Sequence, residues 1–272
     1  MSQVSSTSVY EGVELAAPPK PRNGRKIGLF IPCYIDAFFP EVGIATLELL
    51  EKVGCSVEYP LSQTCCGQPM ANSGCQKDSA GTEALFVDSF KEFDTIVGPS
   101  GSCVHHIRCH FDAIPQTPET VKVRTTTREL VEFLHDDLKV ESFPWASFPH
   151  KIGLHNSCSA IRGLGHARPS ERLYEPFFSK THDLLRGVAG VEVIEIDRPD
   201  ECCGFGGTFC VTDEAVSAKM AYDKVHDFHR HGVEFIASAD MSCLMNMKGV
   251  IERLKLPMKV IHLAQILNGG PL

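Results

Sequence analysis

Two adjacent cysteines stand ahead of a glycine twice in this chain, as Thr64-Cys65-Cys66-Gly67 and as Glu201-Cys202-Cys203-Gly204. A single cysteine precedes each pair and another follows it. The spacings are C-x31-CC-x36-C from Cys33 to Cys103 and C-x43-CC-x39-C from Cys158 to Cys243. Four thiolates held by rigid elements can bind an iron–sulfur cluster or a tetrahedral zinc. Neighbouring cysteines make poor disulfide partners because a vicinal bridge is strained, and they suit two irons of one cluster better. Gly67 and Gly204 let backbone amides approach sulfur with no side chain in the way. The candidate metal and cofactor ligands are therefore Cys33, Cys65, Cys66 and Cys103 in one set, and Cys158, Cys202, Cys203 and Cys243 in the other. No residue is singled out as catalytic.

The remaining cysteines carry less. Cys55 and Cys75 read as structural thiols. Cys109 and Cys210 each lie six or seven residues from a motif cysteine, yet stay outside the two ordered sets. His105 and His106 follow Cys103 closely enough to ligate a metal or donate a proton, although histidines at a helix start are more often solvated or capping. Gly204 to Gly207 lacks the strand, glycine register and acidic residue of a dinucleotide loop. No serine–histidine–aspartate order or HExxH pattern supports hydrolysis.

These residues need elements to position them. With 272 residues and 43% apolar content, the chain can build one large or two moderate cores. Its 12 cysteines are too few for a disulfide scaffold. No secretory signal opens the chain and no run of about 18 apolar residues occurs, so the expected compartment is a reducing cytosol without a membrane span. A net charge of -8 argues against nucleic acid as a partner.

Residues 1–24 read as a flexible leader, 25–145 as a first domain and 146–272 as a second, parted by the proline-bearing stretch from 140 to 150. In the first domain, strands are expected at Ile27–Ile31, Val57–Tyr59, Thr95–Val97 and Val121–Arg124. Helices are expected at Pro40–Val53 and near Arg128–Leu138. The second domain repeats the first: Lys26-Ile27-Gly28-Leu29 reaches Cys33 in seven steps, and Lys151-Ile152-Gly153-Leu154 reaches Cys158 in the same number. The pattern predicts an α/β chain of two pseudo-repeated, Rossmann-like layers with mostly parallel sheets. Their cysteine loops gather at strand C-termini.

The motifs CCGQPMANSG from Cys65, GPSGSC from Gly98, CCGFGGTF from Cys202 and CLMN from Cys243 resemble the duplicated cysteine-rich CCG domain of heterodisulfide reductase subunits and of the glycolate oxidase iron–sulfur subunit. The resemblance is closer to the lactate utilization protein A family and covers nearly all of residues 26–268. It implies a cytosolic iron–sulfur oxidoreductase component, with a 4Fe-4S cluster, that oxidises L-lactate to pyruvate together with two partners. One partner is ferredoxin-like, since this chain has no C-x2-C-x2-C-x3-C run. In heterodisulfide reductase the motif ends C-x2-C, whereas His106 and Asn246 occupy the last position here. That departure leaves an ordinary four-iron cluster, one occupied half, or zinc at one site as alternatives. A disulfide-cleaving subunit and a zinc-bound interaction module are the rival readings.

Overall fold

The computed structural model describes residues 24–270, so the expected leader lies outside it except for Gly24. The first half runs β1 (Ile27–Leu29), α1 (Cys33–Phe38), α2 (Pro40–Lys52), β2 (Val57–Glu58), α3 (Gln68–Asn72), α4 (Ala80–Phe90), β3 (Thr95–Gly98), α5 (Gly101–His110), α6 (Pro118–Thr126), β4 (Thr127–Glu129) and α7 (Leu130–Glu132). The second runs β5 (Lys151–Leu154), α8 (Lys180–Arg186), β6 (Glu192–Ile194), α9 (Phe209–Thr212), α10 (Glu214–Arg230), β7 (Phe235–Ser238), α11 (Met241–Leu254), β8 (Lys259–His262) and α12 (Leu263–Asn268). Wide-turn segments at Phe133–Asp137 and Ser159–Gly163 extend the helical layer.

Each half is a four-stranded, wholly parallel sheet, ordered β2-β1-β3-β4 and β6-β5-β7-β8. The repeated Lys-Ile-Gly-Leu motif has a packing reason. A Cβ on Gly28 would lie 2.8 Å from the Phe93 ring, and one on Gly153 would lie 2.3 Å from the Phe228 ring. The central strand must therefore be bare where an aromatic side chain presses on it. Parallel strands place all their C-terminal loops on one side, which is where such sheets hold ligands.

Helix α2 forms as its sequence demands, with Pro40 in its first turn, Glu41 beside the positive end, and Val42, Ala45 and Leu49 buried. Gly54 follows at a φ of 86°, a left-handed conformation suited to glycine. One expectation fails nearby and one shifts by two residues. Val121–Arg124 is helix, part of α6, and the edge strand begins only at Thr127. The β-branched valines suggested a strand, but Thr117 caps the helix by accepting from the Thr120 N–H, and Pro118 and Glu119 fill its first turn. The helix expected near Arg128–Leu138 is present from Leu130 and runs on through the wide turn at Phe133–Asp137, while Arg128 itself pairs with Val97 in the sheet.

The halves dock by reciprocal exchange. The last helix of the second half, α12, packs on α2 of the first, and α7 with its following turn packs on α8 of the second. Lys52 donates to the Asn268 backbone carbonyl at 2.8 Å and to its side-chain oxygen at 2.7 Å, while Asn268 donates to Glu48 at 2.7 Å. Nearer the strand ends, α1 packs on α11, and α5 packs on the turn at Ser159–Gly163. One apolar cluster accordingly runs through both halves, from Leu29 and Leu49 to Ile236 and Leu267. A second cluster of Phe30, Phe86, Phe90 and Phe111 fills the outer layer of the first half.

Candidate metal centre

All eight motif cysteines line a single cavity of about 200 Å³ at the junction of the halves. Each sits where its strand or loop delivers it. Cys33 begins α1 after β1, Cys103 lies in the first turn of α5 after β3, and Cys243 holds the equivalent place in α11 after β7. Cys158 precedes the turn at Ser159 after β5. The docking of α1 on α11 and of α5 on the Ser159–Gly163 turn brings the two sets to the same opening.

The double cysteines reach the cavity on anchored loops. In the first half Gln63 acts as a strand mimic, accepting from the Ile31 N–H at 2.8 Å and donating to the Leu29 carbonyl at 3.0 Å. In the second, buried Lys224 donates to the Arg198 and Pro199 carbonyls, and Asp227 accepts from the Arg198 N–H at 2.9 Å. Burial lowers the Lys224 ammonium to about 8. The glycines behave as their sequence position implies. Gly67 and Gly204, at φ of 85° and 82°, each aim an amide N–H at the first sulfur of its pair, at 3.4 Å from Cys65 and 3.4 Å from Cys202.

Within each set the sulfurs form a chain of contacts, Cys33–Cys65–Cys66–Cys103 and Cys158–Cys202–Cys203–Cys243. Cys33 and Cys65 lie 3.6 Å apart. Crowding and burial set the proton affinities. Contact with Cys65 and then burial raise the Cys33 thiol, contact with Cys103 raises Cys66, and contact with Cys202 raises Cys158. Cys65 alone is held well below the usual thiol range, by donation from Cys33, then from Cys66, and by the Gly67 amide. Donation from Cys203 pulls Cys243 down, yet burial together with the charges of Asp240, Cys158 and Cys202 outweighs it and leaves the thiol at about 11. No lysine, arginine or histidine is part of the cavity lining, although the buried His155 ring, outside that lining, lies within 4.8 Å of the Cys203 and Cys243 sulfurs; the one carboxylate in the lining, Asp240, is already bonded to Ser102 and Ser242. Eight thiols without a cation among them fit a thiophilic, positively charged metal group, which would take the place of their protons.

The other cysteines lie apart from this lining. Cys55 is buried in the core behind α2, and Cys75 and Cys109 are exposed. Cys210 donates to the Gly207 carbonyl at 3.1 Å. The two residues at the end of each motif differ in role. Asn246 is committed, donating to the Cys203 carbonyl at 2.9 Å and to Ser217 at 3.3 Å. His106 is buried with its Nε2 unpartnered, and burial, helped by His110, pushes it down to about 4, so the ring is neutral. Sequence reasoning missed His155, which is buried beside Cys203 and Cys243. The available signal was the duplication itself, which sets this histidine against Phe30.

A chain with two such sheets, each delivering a lone, a double and a further cysteine to a shared opening, is a tandem cysteine-rich protein. The cysteine-rich CCG domain profile matches it twice, over residues 27–108 and 152–248. The chain belongs to the lactate utilization protein A family. It is 39% identical to the lactate utilization protein A of Exiguobacterium sp. over 251 residues, spanning 90% of this chain and 97% of that one. It is 38% identical to that of Halalkalibacterium halodurans over 247 residues, spanning 89% and 96%. Among solved structures, a glutamate racemase isoform from Bacillus anthracis covers 90% of this chain and 79% of its own at a TM-score of 0.35 and 10% identity, a likeness too distant to bear on function. Among the described residues no helix is long and apolar enough to cross a membrane.

Proposed function

We propose that this chain is the iron–sulfur, electron-transferring component of a system that oxidises L-lactate to pyruvate. The observation that carries the proposal is the convergence of both cysteine sets on one cavity. Cys33, Cys65, Cys66 and Cys103 would hold one group, and Cys158, Cys202, Cys203 and Cys243 the other. A bound cluster supplies one-electron chemistry at a potential tuned by its ligands and hydrogen bonds. The chain's own part is to hold the sulfurs, to aim the Gly67 and Gly204 amides at Cys65 and Cys202, and to keep Cys66, Cys103, Cys203 and Cys243 buried while Cys158 stays open to solvent. Removing two electrons from lactate then requires a path, and two sites on one opening offer consecutive steps. A ferredoxin-like partner and a third subunit complete that path in this reading, in the cytoplasm; the sequence itself offers no dinucleotide-loop motif for a hydride acceptor.

The test is anaerobic purification followed by iron, sulfide and zinc assays, visible and EPR spectra, and acceptor reduction by L-lactate with the partner subunits present. Iron and sulfide should be found together, and Cys65→Ser with Cys202→Ser should remove most of the visible absorption, since a hydroxyl replaces a soft charged ligand. Cys75→Ser and Cys109→Ser, on exposed thiols outside the cavity, should retain it. Full iron content in the Cys65→Ser, Cys202→Ser double variant, or undiminished lactate-driven reduction without any cluster, would overturn the proposal.

A further inference from the structure

The second half holds a buried imidazole that has no counterpart in the first. His155 directly follows β5, and its backbone N–H donates to the Ala237 carbonyl at 2.8 Å, just as the Phe30 N–H donates to the Val97 carbonyl at 2.9 Å after β1. The two residues therefore occupy equivalent positions. Phe30 is wholly apolar in its contacts, edge-on to Phe86 at 4.9 Å and to Phe90 at 6.1 Å. His155 is 1% exposed, and neither of its ring nitrogens has a hydrogen-bond partner. Burying two such atoms forfeits their hydration with nothing in return, which proteins tolerate where the group has other work.

The neighbours of the ring bear on that work. A ring nitrogen of His155, the Cys203 sulfur and the Cys243 sulfur all lie within 4.8 Å of one another. Among the described residues the one other triad this close is Asp197, Asp227 and His231, which Arg230 already neutralises. The first half has no such nitrogen-bearing triad among its described residues. Asn246 cannot serve as the nitrogen donor, because its amide is spent on the Cys203 carbonyl and Ser217.

We infer that His155 is a nitrogen ligand of the metal centre in the second half, beside Cys203 and Cys243, so that the two centres have different donor sets. The inference rests on the reading that both cysteine sets hold metal. A neutral imidazole in a set otherwise made of thiolates leaves a centre less negative, which raises its reduction potential, as histidine ligation does elsewhere. Mixed nitrogen and sulfur ligation also suits zinc, so the same ligand set is open to either metal.

The test uses the full chain, anaerobically purified and grown with 15N-histidine. Pulsed EPR of the reduced iron form should show coupling to a histidine nitrogen, and zinc-loaded protein should show a nitrogen scatterer at the zinc K-edge. The signal should survive in His106→Asn, which installs the residue found at the equivalent place in α11, and vanish in His155→Phe, which installs the residue found after β1. His155→Asn, smaller than the native ring, provides a second variant should the phenylalanine prevent folding. Both His155 variants should lose metal toward half the wild-type content, or keep it with a changed midpoint potential. Two centres with sulfur ligation alone, or a nitrogen signal lost with His106 and retained without His155, would overturn the assignment while leaving the proposed function standing. Protein without metal in either half would overturn both.

Discussion

The carboxylate of Asp240 accepts a hydrogen bond from the backbone N–H of Ser102 at 2.8 Å, so a residue of the second half closes the first turn of the helix that carries Cys103. Asp240 is itself the N-cap position of α11, which carries Cys243, and it bridges antiparallel to Ser100, the N-cap of α5. The two cysteine helices thus begin at a common point. Buried Asp240 also accepts from Ser242 at 2.6 Å. Its charge bears on the sulfurs, since it raises the proton affinity of both Cys158 and Cys243.

From this follows the behaviour of Asp240→Ala. Two part-buried donors, the Ser102 amide and the Ser242 hydroxyl, would lose a charged acceptor, a loss of about 2–3 kcal/mol. Urea unfolding should show that drop, and Asp240→Asn, which keeps one acceptor oxygen, should recover part of it. With metal present, Asp240→Asn should move the midpoint potential of the second centre upward, because a negative charge has left its surroundings. An unchanged unfolding midpoint in Asp240→Ala would show that the contact between the helix starts does not hold the halves in register.

One source of acid sensitivity, beside other buried histidines held neutral, lies at the same junction. His262 caps α12 by accepting the Ala264 N–H at Nδ1 and bonds across to the Pro99 carbonyl of the first half through Nε2, at 3.1 and 3.2 Å. Burial pushes it down to about 4, against the pull of the Ala239 and Pro99 backbones. The folded value lies below the unfolded one, so the unfolded chain binds the extra proton first. Stability is therefore intact above about pH 6.5, falls as pH drops through the window, and has lost about 3 kcal/mol to this group below pH 4. His262→Asn keeps a capping oxygen and does not titrate, so its unfolding free energy should fall less between pH 6.5 and 4 than that of the wild type. Equal slopes would assign the acid loss to other buried groups.

The Asn246 latch makes a sharper distinction between holding and ligating. Asn246→Ala frees the Cys203 carbonyl and Ser217 without touching a sulfur, at a cost of about 1–2 kcal/mol. Metal bound by the second half should become easier to remove with a chelator, while total metal in excess reagent stays at the wild-type ratio. A ligand's loss would instead lower that ratio. Chelation rates and metal-to-protein ratios on the same samples separate the two.

What could be read in the sequence was whatever local chemistry or repetition enforces. The cysteine loops, the bare Gly28 and Gly153, and the start of α2 are each set by neighbours a few residues away or by the second copy of the motif. Residues 121–124 misled because two valines outweighed the Thr117-Pro118-Glu119 helix start that follows a loop. His155 was hidden for a different reason: a lone histidine at a strand end has no ligand spacing, the duplication marks it only as a departure from Phe30, and its burial beside Cys203 and Cys243 shows its place. Nor does any pattern along the chain state which layer a terminal helix will join, and the exchange of α7 and α12 between halves is a property of the assembled surfaces alone.

That exchange leads to the last prediction, that neither half folds stably without the other. Helix α12 buries Leu263, Ile266 and Leu267, and its main neighbour, α2, belongs to the first half. Each such side chain contributes about 1.5–3 kcal/mol when buried, so losing the three together approaches the whole stability of a typical domain. The Lys52–Asn268–Glu48 link adds polar contacts that a truncated chain would leave open. Residues 25–145 alone would expose α2 where α12 should lie, and residues 146–272 alone would expose α8 where α7 should lie. Expressed separately, each should be largely unfolded or aggregated by circular dichroism and size exclusion, and co-expression of the two fragments should restore a soluble pair. A cooperative, monomeric unfolding transition in either isolated half, close to that of the full chain, would show that the exchanged helices are dispensable and that the shared cavity forms from two independent domains.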